Sequence, residues 1–68
     1  MEAIKLEQRV GFPIRVFCRD GREIRGVLKT CDEHQNLVLE EAEELGRGGS
    51  RRHRLLFVKG GNIRMIEI

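Results

Sequence analysis

The chain has too few cysteine and histidine residues to build a disulfide framework or a zinc motif, with two of each scattered over 68 residues. It also shows no internal repeat, no low-complexity tract and no linker, so we expect a single domain over residues 1–68. A domain of this size buries only about 60% of the surface that its unfolded chain exposes, and is marginal alone. Oligomerisation is the remaining source of stability.

The two cysteines are expected to be reduced. If Asp20-Gly21 forms a two-residue hairpin turn, Cys18 lies opposite Glu23, and Cys31 lies eight positions further along that strand. At about 3.3 Å per residue the separation is on the order of 26 Å, which is beyond disulfide reach. Reduced thiols favour an intracellular protein, cytoplasmic or, if eukaryotic, also nuclear. We find neither a signal peptide nor an apolar run that could cross a membrane, and expect no membrane partner.

Catalytic and metal-binding chemistry is not expected either. The one cluster of suitable residues, 31–34 (CDEH), lacks a nucleophile, base and orienting group at a convincing spacing. We therefore predict no enzymatic activity, no cofactor and no metal.

Apolar periodicity predicts an all-β domain after a short helix. Residues 2–9 are good helix formers, and Gly11 and Pro13 end the helix. Gly26 lies inside the long second strand, where it permits a bend or bulge, so that this strand can serve both halves of a small barrel. Residues 45–52 (LGRGGSRR) have no periodicity and are interpreted as a mobile loop. The predicted strands cover residues 14–19, 22–31, 36–44, 54–58 and 63–68.

The last two strands carry apolar residues on both faces, in the runs RLLFV and IRMIEI. Both cannot be central in a five-stranded domain, and an unprotected apolar edge strand aggregates unless another strand pairs with it. We expect a neighbouring subunit to supply that strand. Head-to-tail repetition of the contact gives a ring if the rotation closes.

The charges are divided into blocks. Residues 1–31 carry seven basic and four acidic side chains, residues 32–45 carry six acidic and no basic ones, and residues 46–68 carry six basic and one acidic. The separation suggests one surface that meets polyanions and another that repels them. Each block taken alone also fits a solvated loop.

Two polar turns hold the candidate binding residues. Residues 32–36 (DEHQN) and residues 59–62 (KGGN) each separate two apolar runs, and we expect the fold to bring them together. The side chains of His34 and Asn36 are predicted to point freely away from the sheet. The alternatives are that His34 is a solvated loop residue, and that Asn36 and Asn62 only stabilise their turns.

With these features the chain resembles the Sm and Sm-like (LSm) family over nearly its whole length. The first family motif resembles residues 21–28 (GREIRGVL) followed by Asp32, Asn36 and the run LVLEEAEE, within a segment of about 14–44. The second resembles residues 56–63 (LFVKGGNI), within about 54–67. The residues KGGN do not match the second motif of the bacterial branch represented by Hfq. The short length is more similar to archaeal members.

The resemblance implies the Sm fold, a strongly bent five-stranded antiparallel barrel of the SH3-like or OB-like kind after a short N-terminal helix. It implies homo-oligomeric rings, most often of seven subunits, in which the fourth strand pairs with the fifth strand of a neighbour. It also implies that uridine-rich single-stranded RNA binds at the inner rim, and that the ring serves RNA processing or turnover as a scaffold or chaperone, with RNA-processing proteins as candidate partners.

The resemblance also assigns site residues. It implies that His34 stacks on a base, that Asn36 reads the uracil edge, and that the loop of Lys59, Gly60, Gly61 and Asn62 closes the other side. Asp32 is expected to brace the first turn through backbone hydrogen bonds.

Two departures from the family pattern weaken the implied site. Lys59 stands where arginine is usual, and it lacks the planar guanidinium that stacks on bases. Gly61 stands where aspartate is common, so strict uridine selectivity is not assured. An alternative function is therefore a structural ring that organises protein partners or higher assemblies, with weak or no oligo(U) specificity.

Overall fold

The computed structural model describes residues 6–68, which form five antiparallel strands and two short 3-10 helices. A helix is predicted over residues 2–9, but residues 6–9 form a single 3-10 turn. The rest of the predicted helix falls within residues 1–5, which lie outside the described residues. The elements are the first 3-10 helix Leu6–Arg9, β1 Pro13–Cys18, β2 Glu23–Cys31, β3 Leu37–Gly46, β4 Gly49–Val58, the second 3-10 helix Gly60–Asn62, and β5 Ile63–Glu67.

The strands form one sheet in the order β4-β3-β2-β1-β5. Consecutive strands from β1 to β4 pair through hairpins, and β5 returns to pair with β1. Within this sheet β4 and β5 are therefore the two edges, each with one unpaired side. This arrangement confirms the predicted bent, five-stranded antiparallel fold, and it leaves the barrel open between its last two strands.

A bulge between β2 and β3 bends the sheet at the glycine that the sequence singled out. Two residues of β3, Glu41 and Ala42, oppose the single residue Gly26. Glu41 has a left-handed φ of 47°. A Cβ atom on Gly26 would lie 3.1 Å from both the Ala42 Cα and the Glu40 carbonyl oxygen. Gly26 thus permits the close approach, whereas the extra residue lies on β3 rather than on β2.

The core is built from the inward side of each strand. Along β1, Ile14, Val16 and Cys18 are buried while the intervening Arg15 and Phe17 are half-buried, as the period of two predicts. The other strands supply the remaining buried side chains, which are Ile24, Leu28, Leu37, Leu39, Ala42, Val58 and Ile63.

The β1–β2 turn has three residues, not the predicted two. Phe17, rather than Cys18, lies opposite Glu23. The turn closes through a 2.8 Å hydrogen bond from the Cys18 N–H to the Arg22 carbonyl oxygen. Gly21 adopts a φ of 94°, the left-handed conformation that three-residue hairpin loops place at their last position. The predicted register is therefore wrong by one residue, while both cysteines are free thiols in the structure.

Residues 45–52 are not a loop. The β3–β4 ladder continues to the pair Gly46 and Gly49, so that Arg47 and Gly48 alone form the turn. This segment has no apolar periodicity because neither face of its outer half is packed into the core. The segment is a strand because it is hydrogen-bonded to the facing strand of the hairpin. Apolar periodicity in the sequence does not report such pairing.

The acidic and basic blocks meet in part across this hairpin, so they are not fully separate surfaces. Glu43 of β3 lies opposite Arg52 of β4, and Glu44 lies opposite Arg51. Opposite charges at facing positions stabilise a strand pair. Glu40 lies opposite Leu55, so only Glu43 and Glu44 of the acidic run face arginines, and the repulsion of RNA by this run stays a prediction.

Glu44 of β3 also contacts β4 and the residue that precedes β2. Its carboxylate accepts a 2.6 Å hydrogen bond from Arg22 Nη1, and it lies 2.9 Å from His53 Nε2. The hydrogen bond from Arg22, followed by that from His53, holds the pKa of Glu44 below its ordinary value. The Glu44 side chain is only 18% exposed, so these contacts are partly shielded from water.

We expect Glu44→Gln to lower the free energy of unfolding by about 1 kcal/mol, because it removes a partly buried, charge-assisted contact. Glu41→Gln is the matched control, since Glu41 is exposed, has no facing residue in the β3–β4 ladder and makes no ion pair among residues 6–68. Urea denaturation of both variants at one protein concentration measures the difference. Equal stability of the two variants would contradict the role of Glu44.

Candidate nucleic-acid interface

The first turn is organised by the carboxylate of Asp32. Its Oδ1 accepts hydrogen bonds of 2.9 Å from the backbone N–H groups of His34 and Asn36, and its Oδ2 accepts one of 2.9 Å from Asn36 Nδ2. These bonds, that from the Asn36 side chain above all, lower the pKa of Asp32. Gln35 completes the turn with a left-handed φ of 63°. An ionised carboxylate that only accepts hydrogen bonds therefore holds the turn closed.

The side chain of Asn36 connects the first turn to the second. Its Oδ1 accepts a 2.8 Å hydrogen bond from the Gly60 N–H, while its Nδ2 donates to Asp32. The expectation that this side chain points freely away from the sheet is wrong, since Asn36 is half-buried between the two turns. Its orientation is fixed because a carboxylate can only accept and a backbone N–H can only donate. One amide N–H and one Oδ1 lone pair remain available.

Gly60 allows the two turns to meet. A Cβ atom at this position would overlap the His34 carbonyl oxygen and crowd the backbone of Gln35. At Gly61 the same test finds no atom within 4 Å, so the space there is open. The second turn closes on itself through a 3.0 Å hydrogen bond from the Asn62 N–H to the Lys59 carbonyl oxygen.

A third loop, residues 19–21, contacts the second turn. The Arg19 N–H donates a 2.7 Å hydrogen bond to the Asn62 carbonyl oxygen. The Asn62 side chain donates through Nδ2 to Asp20 Oδ2 at 3.1 Å. Hydrogen bonds from Arg22, and then that from Asn62, lower the pKa of Asp20 to about 2. Sequence reasoning missed Asp20 and Arg19, because no local pattern links them to a turn some 42 residues away.

The structure thus brings all the predicted site residues to one end of the sheet. The two side chains expected to flank the base, those of His34 and Lys59, are both exposed, with the His34 side chain 75% accessible. The nearest charged partner of His34 is Glu33, at 3.6 Å from Nε2 to Oε1. Asn36 and Gly60 form the link between the turns, and Asn62 forms the link to the third loop. An exposed imidazole beside an oriented amide is suited to stacking and to edge recognition of a planar base.

Two other kinds of feature are not found in the part of the chain that the structure describes. Among residues 6–68, no three histidine, cysteine, aspartate or glutamate side chains are grouped so that they could hold a metal ion. No helix within those residues has the length and apolar character needed to cross a membrane.

Comparison with known proteins agrees with this geometry. The LSM domain family model matches residues 4–68. An snRNP Sm-like protein of Aeropyrum pernix is 42% identical over 57 residues, which cover 84% of this chain and 74% of that protein. A heptameric archaeal Sm protein has a similar structure, with a TM-score of 0.82 and 39% identity over 91% of each chain. The Sm protein of Pyrococcus abyssii in complex with a uridine heptamer superposes with a TM-score of 0.84 and 28% identity, over 91% of this chain and 89% of that one.

The fold and the joined turns define an Sm-type protein, and the family match extends over nearly the whole chain. The chain belongs to the LSM domain family. Proteins of this family are RNA-binding scaffolds and not enzymes, in agreement with the sequence prediction.

The two glycines of the second turn should respond differently to the same change. We expect Gly60→Ala to lower the free energy of unfolding by about 1–3 kcal/mol, since its methyl group overlaps the first turn. Gly61→Ala meets open space and should change it by less than about 0.5 kcal/mol. Chemical denaturation of the pair measures the contrast. A Gly60→Ala variant as stable as Gly61→Ala would show that the turns do not touch.

Proposed function

We propose that this protein assembles into a homo-oligomeric ring, of seven subunits, that binds uridine-rich single-stranded RNA at its inner rim. In this proposal the ring acts as a scaffold or chaperone in RNA processing or turnover. The observation that carries it is the Asn36 amide, which joins two turns and keeps hydrogen-bonding capacity beside an exposed His34.

Ring assembly is supported by the free edges of the sheet. Leu55 and Phe57 of β4 are 53% and 60% exposed, and Met65 of β5 is 52% exposed. An open groove of about 530 Å³, lined in part by Leu6 and Ile66, lies beside β5. Pairing of β4 with β5 of the next subunit would satisfy both edges and cover these side chains. The heptameric archaeal Sm protein of similar structure supports seven as the number of subunits.

Uridine recognition is supported by the orientation of Asn36. Uracil offers an acceptor at O4 beside a donor at N3, whereas cytosine offers a donor at N4 beside an acceptor at N3. An amide held in one orientation by Asp32 and Gly60 fits only one of these orders. This selectivity does not depend on a carboxylate at Gly61. The uridine heptamer bound by the Pyrococcus abyssii protein supports the same base class.

Affinity would come from repetition. Stacking of one base on His34, with Lys59 on the other side, contributes roughly 1–3 kcal/mol. That is too little for firm binding at one site, but several linked nucleotides bound by several subunits gain from a high effective concentration. The Gly61 and Asn62 backbone would border the base site, and Asp32 would hold its wall.

The free thiols bear on the location of the protein in the cell. Cys18 and Cys31 are free, which suits a cytoplasmic protein. RNA-processing proteins are the further partners that we propose.

A ring that mainly organises protein partners is the second candidate function. It is favoured by the missing side chain at Gly61 and by Lys59 in place of a stacking guanidinium. Measurable oligo(U) affinity distinguishes the first function from the second.

We expect His34→Ala to weaken oligo(U) binding at least tenfold, since each site loses roughly 1–3 kcal/mol of stacking. Glu33→Ala is the matched control: it removes the adjacent, 87% exposed side chain, which lies 3.6 Å from His34 Nε2 but cannot stack on a base, so it should not weaken binding. Fluorescence anisotropy measures the affinity, and light scattering with and without oligo(U) measures the mass. Full affinity in a His34→Ala ring would refute this site, and a ring with no affinity at low salt would support the structural alternative.

Asp32→Asn should reduce the preference for oligo(U) over oligo(C), since an amide at residue 32 no longer fixes the Asn36 orientation. We expect the affinity ratio to fall by about tenfold or more, the worth of one well-placed base contact. Glu33→Gln removes the same charge one residue away and should leave the ratio unchanged. A ratio that is unaffected in the Asp32→Asn ring would contradict orientation of Asn36 as the source of selectivity.

A further inference from the structure

The third loop carries a basic residue, Arg19, whose backbone is bonded to the second turn. The Arg19 N–H is bonded to the Asn62 carbonyl oxygen at 2.7 Å, so Arg19 adjoins the turn that contains Lys59. Arg19 is exposed. Its position is set by the backbone of β1 and by the tie of Asn62 to Asp20, and not by a flexible tail.

The charge of Arg19 is not neutralised by its acidic neighbour. Both oxygens of Asp20 accept from Arg22 Nε, at 3.1 and 3.0 Å, and Oδ2 also accepts from Asn62. The Asp20 carboxylate is thus already engaged by Arg22 and Asn62. Among residues 6–68, no carboxylate lies within 4 Å of the Arg19 guanidinium.

Arg47 is an exposed arginine that lies far from the joined turns. Arg47 occupies the tip of the β3–β4 hairpin, beyond the ten-residue strand Leu37–Gly46 that starts next to Asn36. Strands rise by about 3.3 Å per residue, so even a bent strand places this tip well away from the base site. Arg19 and Lys59, in contrast, lie on loops that are bonded to each other through Asn62.

We propose that Arg19 binds the phosphate backbone of the RNA, next to the nucleobase that the first turn receives. This inference rests on the proposed function. When successive bases stack in the base sites of successive subunits, their phosphates lie beside those sites and can be bound by basic side chains there. Arginine suits this role because its guanidinium offers paired donors that match the geometry of a phosphate. Asp20 is then a positioning residue, because it engages Arg22 and Asn62 and leaves Arg19 unpaired.

The test compares Arg19→Gln with Arg47→Gln in the assembled ring. Both variants remove one exposed positive charge per subunit, so they alter the net charge equally. Oligo(U) and oligo(C) affinities are measured between 50 and 200 mM salt, with ring mass checked by light scattering. For single strands the slope of log affinity against log salt falls by about 0.7 for each phosphate that the protein no longer neutralises. We expect Arg19→Gln to lower that slope and to weaken both oligonucleotides by the same factor, at least fivefold at low salt.

The outcomes separate this inference from the proposed function. A wild-type ring that binds no oligo(U) refutes both. A wild-type ring that binds, with affinity and slope unchanged in Arg19→Gln, refutes the Arg19 interaction alone. Equal weakening in Arg19→Gln and Arg47→Gln would show a general effect of charge, and weakening confined to oligo(U) would show base reading; either overturns the proposal. If Arg19→Gln alters the ring mass, Arg19→Lys is tested instead, because it keeps the positive charge. We expect the Arg19→Lys ring to retain the wild-type slope of log affinity against log salt. A reduced slope would overturn the proposed binding of phosphate by residue 19.

Discussion

The Asn36 amide holds the functional end of this protein together. It lies between a carboxylate that can only accept, that of Asp32, and a backbone N–H that can only donate, that of Gly60. These bonds fix which end of the amide faces which turn, and they require glycine at residue 60 because the two backbones come so close. The same contact therefore accounts for the joining of the turns, the exposure of His34 and the orientation of the remaining hydrogen-bonding groups.

The sheet places a second constraint on the molecule. Its order leaves β4 and β5 unpaired on one side, with Phe57 and Met65 largely exposed there. Completion by another copy would satisfy the backbone groups and bury the apolar side chains at once. The proposed base site lies where the chain passes from β4 to β5 through Gly60–Asn62, so subunit pairing and RNA binding would be coupled through one short turn.

Charges that are separated along the sequence lie next to each other in the folded protein. The acidic and basic blocks lie side by side in the β3–β4 hairpin, where Glu44 also binds Arg22 and contacts His53. Two of the six basic residues of the last block, Arg51 and Arg52, thereby face carboxylates across the ladder. In the proposed assembly the cations near the turns contribute through their position beside the base site.

The sequence by itself determined the alternating core of β1, the bend at Gly26, the two polar turns and the family resemblance. Each of these depends on spacing within a few residues, where period and turn chemistry are reliable. Only the tertiary structure decided the three-residue turn before Arg22, the extension of β3 and β4 through residues 45–52, and the tie of Asp20 and Arg19 to Asn62. Those features arise from partners across the sheet, and a strand whose faces are both polar carries no periodic signal of its partner. The physical reason is that hydrogen bonds between distant loops depend on register, which is set by the whole sheet and not by any one segment.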